Sequence, residues 1–131
     1  MKVLITGSSG FLGRIMTSHL ISGNTEVIGI DIHPGQEEHQ GNFRFYPCSI
    51  EDKEKLSFIF ETEKPTHVLH FACTFNKVRN KKREHEIDIT GSANIRELSE
   101  KTHTVKQLIF SSSAVAYGGK KDNKTWISES D

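Results

Sequence analysis

With 131 residues, the chain has room for one domain, residues 1–131, built around one modest core. Lysine plus arginine and aspartate plus glutamate each number 17, so the net charge is zero, which excludes a broad nucleic-acid or polyanion surface. No apolar stretch reaches membrane-span length, the N-terminus lacks a signal-peptide layout, and Cys48 and Cys73 have no metal-ligand spacing; these features predict a reduced, cytoplasmic protein with no membrane partner.

The apolar run Val3-Leu4-Ile5 predicts a buried strand over Lys2–Thr6. It breaks into Gly7-Ser8-Ser9-Gly10 and then a predicted helix over Phe11–Ser22. Phe11, Leu12, Ile15, Met16 and Leu20 are expected on its buried face, and Gly23-Asn24 closes it. A second strand is predicted over Glu26–Asp31 and ends at His33-Pro34-Gly35. Polar loop follows to residue 42, then a short strand over 43–46, stopped by Pro47. A helix is expected over 50–62, with Ser49 and Asp52 placed as a capping box. Strand four is predicted over 67–72; His67 and His70 then face opposite sides and cannot share a metal, and Cys73 is expected at the edge of the core. The basic run Arg79-Asn80-Lys81-Lys82-Arg83 reads as a solvated helix start. The helix itself is predicted over 83–101, burying Ile87, Gly91, Asn94, Ile95 and Leu98. Strand five is predicted over 105–111, and the remainder has no periodicity.

Alternating strands and helices predict an α/β domain with a parallel sheet covered on both faces. Right-handed crossovers give a Rossmann-type doubly wound sheet of order 3-2-1-4-5. A ligand would lie at the carboxyl edge, at the switch point between strands one and four.

The turn after strand one carries the clearest chemistry. Gly7 permits the sharp exit, Gly10 lets backbone approach a pyrophosphate, and Gly13 lets the first helical turn pack against the sheet. An ordinary turn with spare glycines is the alternative, but the position between a strand and a helix favours phosphate. Asp31, at the end of strand two, can accept both hydroxyls of an adenosine ribose and would repel a 2′-phosphate, favouring NAD over NADP. The alternative is an aspartate that only starts the turn at His33.

These segments together resemble the N-terminal part of the extended short-chain dehydrogenase/reductases, the NAD-dependent epimerase/dehydratase family. The resemblance covers essentially the whole chain. It rests on Thr6-Gly7-Ser8-Ser9-Gly10-Phe11-Leu12-Gly13, on Asp31, and on His70-Phe71-Ala72. It continues through Ile87-Asp88-Ile89-Thr90-Gly91 and ends on Phe110-Ser111-Ser112-Ser113-Ala114-Val115-Ala116-Tyr117-Gly118. It implies a cofactor site of Gly7, Ser9, Gly10, Phe11, Leu12, Gly13 and Asp31. Ser49 and Ile50 stand where the family has an acidic-apolar pair against adenine, and Phe71, Ala72 and Cys73 would line the phosphate and ribose side. Asp88 occupies a position where the family has asparagine; an ionised carboxylate accepts but does not donate. Ser113 aligns with the residue that hydrogen-bonds the substrate oxygen; a polar strand end satisfying its own backbone is the alternative.

The family's reaction uses a Tyr-x-x-x-Lys pair, in which the tyrosine acts as base. Tyr117-Gly118-Gly119-Lys120-Lys121 fits that spacing, yet two glycines disfavour the helical turn the pair needs. The resemblance places the true tyrosine beyond position 131, so the later strands and the C-terminal substrate domain are expected to be missing. The resemblance implies an NAD-dependent epimerase, dehydratase or reductase acting at a hydroxyl or carbonyl carbon, with a nucleotide sugar the commonest substrate. The basic stretch after Phe75 differs from the sugar-epimerase pattern and leaves steroid-like or other carbonyl substrates open. A non-catalytic NAD-binding module or an inactive product is the alternative. A homodimer through the long helices is also implied.

Overall fold

A computed structural model describes residues 1–35, 41–74, 81–113, 118 and 128. Their elements in chain order are β1 (Lys2–Thr6), α1 (Phe11–Ser22), β2 (Glu26–Asp31), β3 (Phe43–Pro47), α2 (Lys53–Glu63), β4 (His67–His70), α3 (Lys81–Lys101) and β5 (Gln107–Phe110). The five strands form one sheet in the order β3-β2-β1-β4-β5, every pair parallel, as the strand-helix alternation requires.

Strands β1 and β2 carry continuous buried runs, residues 3–6 and 27–30, because they lie between helices on both faces of the sheet. On one face Leu4, Ile28, Ile30 and Val68 pack with Leu56, Ile59 and Phe60 of α2 and with Ile95 and Leu98 of α3. On the other, Val3, Ile5, Val27, Phe43 and Phe45 pack with Met16, Leu20 and Ile21 of α1. Truncating a fully buried residue such as Leu56 or Ile59 would cost about 2–5 kcal/mol, since neither can be replaced by water.

Helix α1 is rotated from the expected face. Gly13 and Thr17 are buried, while Phe11, Leu12 and Ile15 are exposed, Phe11 at 74%. The cause is Gly13 itself. A Cβ there would lie 2.1 Å from the Gly7 carbonyl oxygen, so this residue must face the turn. Helical periodicity then turns positions 16, 17, 20 and 21 to the sheet and leaves 11, 12 and 15 outside.

Other boundaries shift for local reasons. Helix α2 begins at Lys53, with Asp52 as its cap: Asp52 Oδ1 accepts from the Lys55 N–H at 3.0 Å. Ser49 takes no part in that cap; its hydroxyl accepts from the Glu51 N–H at 3.2 Å in the preceding turn. Ile50 is held in the core instead, its carbonyl accepting from Asn94 Nδ2 at 3.0 Å. Strand β3 runs on to Pro47, which stands opposite Asp31; the Cys48 N–H that follows donates to the Asp31 carbonyl at 2.9 Å, so the ladder needs no N–H from the proline. Strand β4 stops at His70, although the Phe71 N–H still donates to the Thr6 carbonyl at 3.1 Å. Helix α3 starts at Lys81, and β5 is shortened to Gln107–Phe110.

The amino edge of the sheet is tied by Glu63, a buried acid at the end of α2. It accepts from Arg44 at 2.7 Å, from the Tyr46 hydroxyl at 2.6 Å and from Lys2 at 3.4 Å. Burial alone would raise its pKa, but these three donors outweigh it and hold the carboxyl below its ordinary value. That network ties α2 to β1 and β3.

Candidate functional site

The carboxyl edge is built around the turn from β1 to α1. Gly7 has φ +70° and lies against the Phe71-Ala72 backbone, where a Cβ would come within 2.7 Å of the Ala72 nitrogen. The Gly7 N–H donates to the Ile30 carbonyl at 2.8 Å, and the Gly10 N–H to the Gly7 carbonyl at 3.0 Å. The turn is therefore locked to β2 on one side and to the chain leaving β4 on the other. Gly10 is the N-cap of α1, with no side-chain cap and no acidic residue in the first turn. The first-turn N–H groups, at the positive end of the helix where an anion gains most, thus receive no acceptor from the cap side chain.

Asp31 ends β2 beside this turn. Its Oδ2 accepts from the Ser9 N–H and its Oδ1 from the His33 N–H, both at 3.0 Å. Ser9 Oγ donates to the His33 carbonyl at 2.7 Å. Two backbone donors fix the carboxylate's orientation while each oxygen keeps a further lone pair, the arrangement needed to accept two vicinal hydroxyls. Gly7, Ser9, Gly10 and Asp31 are thus brought together, with the backbone of Phe11, Leu12 and Gly13 at the helix start.

The loop leaving β4 forms the next wall. Phe71 and Ala72 are half-buried, whereas Cys73 is exposed rather than at the edge of the core. Partial desolvation and then the charge of Asp88 raise the Cys73 thiol above its ordinary pKa, so it stays protonated at neutral pH. Asp88 on α3 clamps this loop: its Oδ1 accepts from the Thr74 N–H and its Oδ2 from Thr74 Oγ1, both at 2.9 Å. Both partners are donors, so an acceptor-only side chain suits the position.

Beneath the loop lies His70, which is buried. Ala72 N–H donates to Thr6 Oγ1 at 3.3 Å, which leaves the Thr6 hydroxyl to donate to His70 Nδ1 at 2.6 Å. His70 Nε2–H then donates to Ser92 Oγ at 3.0 Å, the assignment that satisfies the Ala72 and Thr6 donors together with both ring nitrogens. Burial lowers the imidazole pKa from 6.5 to about 4, against the opposing pull of Asp88, so the ring is neutral at pH 7. Only the hydroxyls at Thr6 and Ser92 could have signalled this chain in the sequence.

Ser49 and Ile50 lie in the turn after β3. Ile50 is buried, its side chain seated where a Cβ on Gly91 of α3 would fall, so it offers an adjacent ring little beyond its edge. Ser113 is exposed just past β5, after Ser111, whose N–H donates to the His70 carbonyl at 3.0 Å. Gly118 has φ +72°, which a right-handed helical turn cannot contain. Tyr117, Lys120 and Lys121 lie outside the described residues.

The features present fit a dinucleotide: an uncapped helix start for the pyrophosphate, glycines where Cβ atoms would block the turn, and a fixed carboxylate beside it. A family model, the NAD dependent epimerase/dehydratase family, matches residues 3–131. The chain belongs to the NAD-dependent epimerase/dehydratase family. Among its relatives, UDP-glucose 4-epimerase of Lactobacillus helveticus is 30% identical over 123 residues, 90% of this chain and 37% of that protein. The structure of UDP-glucose 4-epimerase with UDP-glucose from Thermotoga maritima is 36% identical, with a TM-score of 0.76 over 86% of this chain and 38% of the other. The Bordetella bronchiseptica enzyme WbmG, in complex with NAD, is 29% identical with a TM-score of 0.81, over 90% of this chain and 39% of the other. This family member therefore spans less than two fifths of the length of these relatives. Among the described residues no helix is long and apolar enough to cross a membrane, and no group of His, Cys, Asp or Glu is arranged to hold a metal.

Proposed function

We propose that the chain binds NAD, in preference to NADP, as the cofactor-binding portion of an epimerase, dehydratase or reductase acting on a nucleotide sugar. The observation that carries this reading is the uncapped start of α1 beside a carboxylate, Asp31, whose two oxygens are held by Ser9 and His33. Backbone N–H groups from Phe11 to Gly13 would hold the pyrophosphate, and Asp31 the adenosine ribose. Bound NAD supplies a ring that takes a hydride from a hydroxyl-bearing carbon and can return it. Ser113 would hydrogen-bond the substrate oxygen at that carbon. Family membership and the UDP-glucose named with the Thermotoga relative support a nucleotide-sugar substrate.

The reading includes a homodimer through α2 and α3, which is supported by Phe58 and Ile89 standing 61% and 54% exposed on those helices. It also includes a cytoplasmic location, supported by two free thiols, Cys48 and Cys73. A narrower reading, binding without turnover by these 131 residues, is favoured by the φ of +72° at Gly118 inside the sole Tyr-x-x-x-Lys spacing at 117–121.

Calorimetric titration with NAD and NADP, with Asp31→Ala beside the wild type, tests the proposal. The expected result is NAD binding at least tenfold tighter than NADP, with the preference lost in Asp31→Ala, as removal of a charged hydrogen-bond acceptor worth about 1.5–3 kcal/mol predicts. A folded chain that binds neither nucleotide would overturn it.

A further inference from the structure

The direction in which a dinucleotide would lie follows from the sheet order. Asp31 marks the adenosine end at β2, and the start of α1 after β1 marks the pyrophosphate. Strand β4 is on the other side of β1 from β2, with β5 beyond it. The second half of an extended dinucleotide therefore continues over the carboxyl ends of β4 and β5. Asp88 stands there, on the second turn of α3, fixed to the loop that leaves β4 by its two hydrogen bonds to Thr74.

Three properties make this carboxylate consequential. It is half-buried, so water screens it poorly. Its two bonds come from neutral donors, Thr74 N–H and Oγ1–H, which orient the charge without cancelling it. Among the described residues no lysine or arginine forms an ion pair with it. Its field reaches its surroundings, acting on both His70 and Cys73.

The oxidised and reduced forms of a nicotinamide dinucleotide share their riboses and pyrophosphate. They differ in the ring, which carries a positive charge when oxidised and none when reduced. We propose that Asp88 sets the redox-state preference of the site, its Thr74-clamped carboxylate favouring the oxidised, cationic nicotinamide over the reduced ring. The inference rests on the reading that the chain binds NAD and deepens it. Across about 6 Å of a cleft open to water, with an effective dielectric of about 40 to 80, the preference is about three- to tenfold in relative affinity. Such a bias would keep the site charged with the form that accepts hydride.

Asp88→Asn is the informative variant. The amide oxygen can still accept from the Thr74 N–H while its NH2 donates to Thr74 Oγ1, so the loop clamp survives and only the charge goes. Asp88→Ser is a second neutral variant with an acceptor at the same position. Dissociation constants for NADH, from its fluorescence, and for NAD+, by displacement, would be measured on the wild type and both variants. The expected result is a fall of about three- to tenfold in the preference for NAD+ over NADH in each neutral variant. An unchanged ratio in a variant that still binds both nucleotides would overturn the role of Asp88 and leave NAD binding standing. A wild type that binds neither would overturn the binding reading, and this inference with it.

Discussion

The two sides of the carboxyl edge differ in how much of their structure the described residues supply. On the β1–β2–β3 side, each element is held by another. The Gly7 N–H is bonded to Ile30, Asp31 to Ser9 and His33, and Gly13 is seated on the Gly7 carbonyl. On the β4–β5 side, the strand at the edge buries little: Ile109 and Phe110 are 44% and 40% exposed, and Ser113 is exposed as well. The difference teaches that the side proposed to hold adenosine is preformed by local backbone geometry. The side where hydride is proposed to move is held by side-chain contacts, Asp88 to Thr74 and His70 to Ser92, rather than by a tight turn. Positioning by contact, rather than by turn geometry, is the less self-sufficient of the two.

The sharpest way to break this contrast is at Gly13. In Gly13→Val the side chain would have to occupy space 2.1 Å from the Gly7 carbonyl oxygen, so the turn, the helix and Asp31 lose their common anchor. We expect a loss of about 3–5 kcal/mol in stability, seen in a circular-dichroism melt, with NAD binding abolished. Retained binding at wild-type affinity would show that the adenosine half is not locked as described.

Acid sharpens the contrast on the other side. His70 has a folded pKa of about 4 against 6.5 in the unfolded chain. Its contribution to stability is therefore complete above about pH 6.5 and is lost as pH falls towards 4, because only the unfolded chain takes up the proton easily. The loss would amount to at most about 3 kcal/mol. Urea midpoints measured across that range should fall for the wild type and fall less for His70→Asn. Glu63, whose pKa is lowered in the fold, adds to the acid lability only below its unfolded pKa, so the window above pH 5 isolates the histidine.

The smallest effect is expected at the exposed edge. Ile109→Thr removes a side chain that is already 44% exposed, and the melting curve should move by no more than about 0.5 kcal/mol. A large loss would mean that Ile109 is covered in solution.

What the sequence made legible follows the same division. The sheet order and the glycine turn were readable because they rest on local signals: apolar runs of strand length and glycines between a strand and a helix. The buried face of α1 was misread because apolar content pointed to Phe11, Leu12 and Ile15, while the close approach of Gly13 set the helix rotation. Ser49 looked like a cap on spacing alone, yet Asn94 holds the Ile50 carbonyl and delays the helix to Lys53. The Asp88–Thr74 clamp and the Thr6–His70–Ser92 chain join residues far apart in sequence through the sheet, and no local pattern announces them.

The central claim is that the adenosine half of the site is complete in this chain, and comparing ADP with NAD tests it most directly. ADP carries the adenosine and pyrophosphate groups and nothing that reaches β4 or β5. The account predicts that ADP binds within about tenfold of NAD, and that amide signals of residues 7–13 and 31–33 shift with either ligand. NAD binding without measurable ADP binding, or ADP shifts confined to the β4–β5 side, would contradict it.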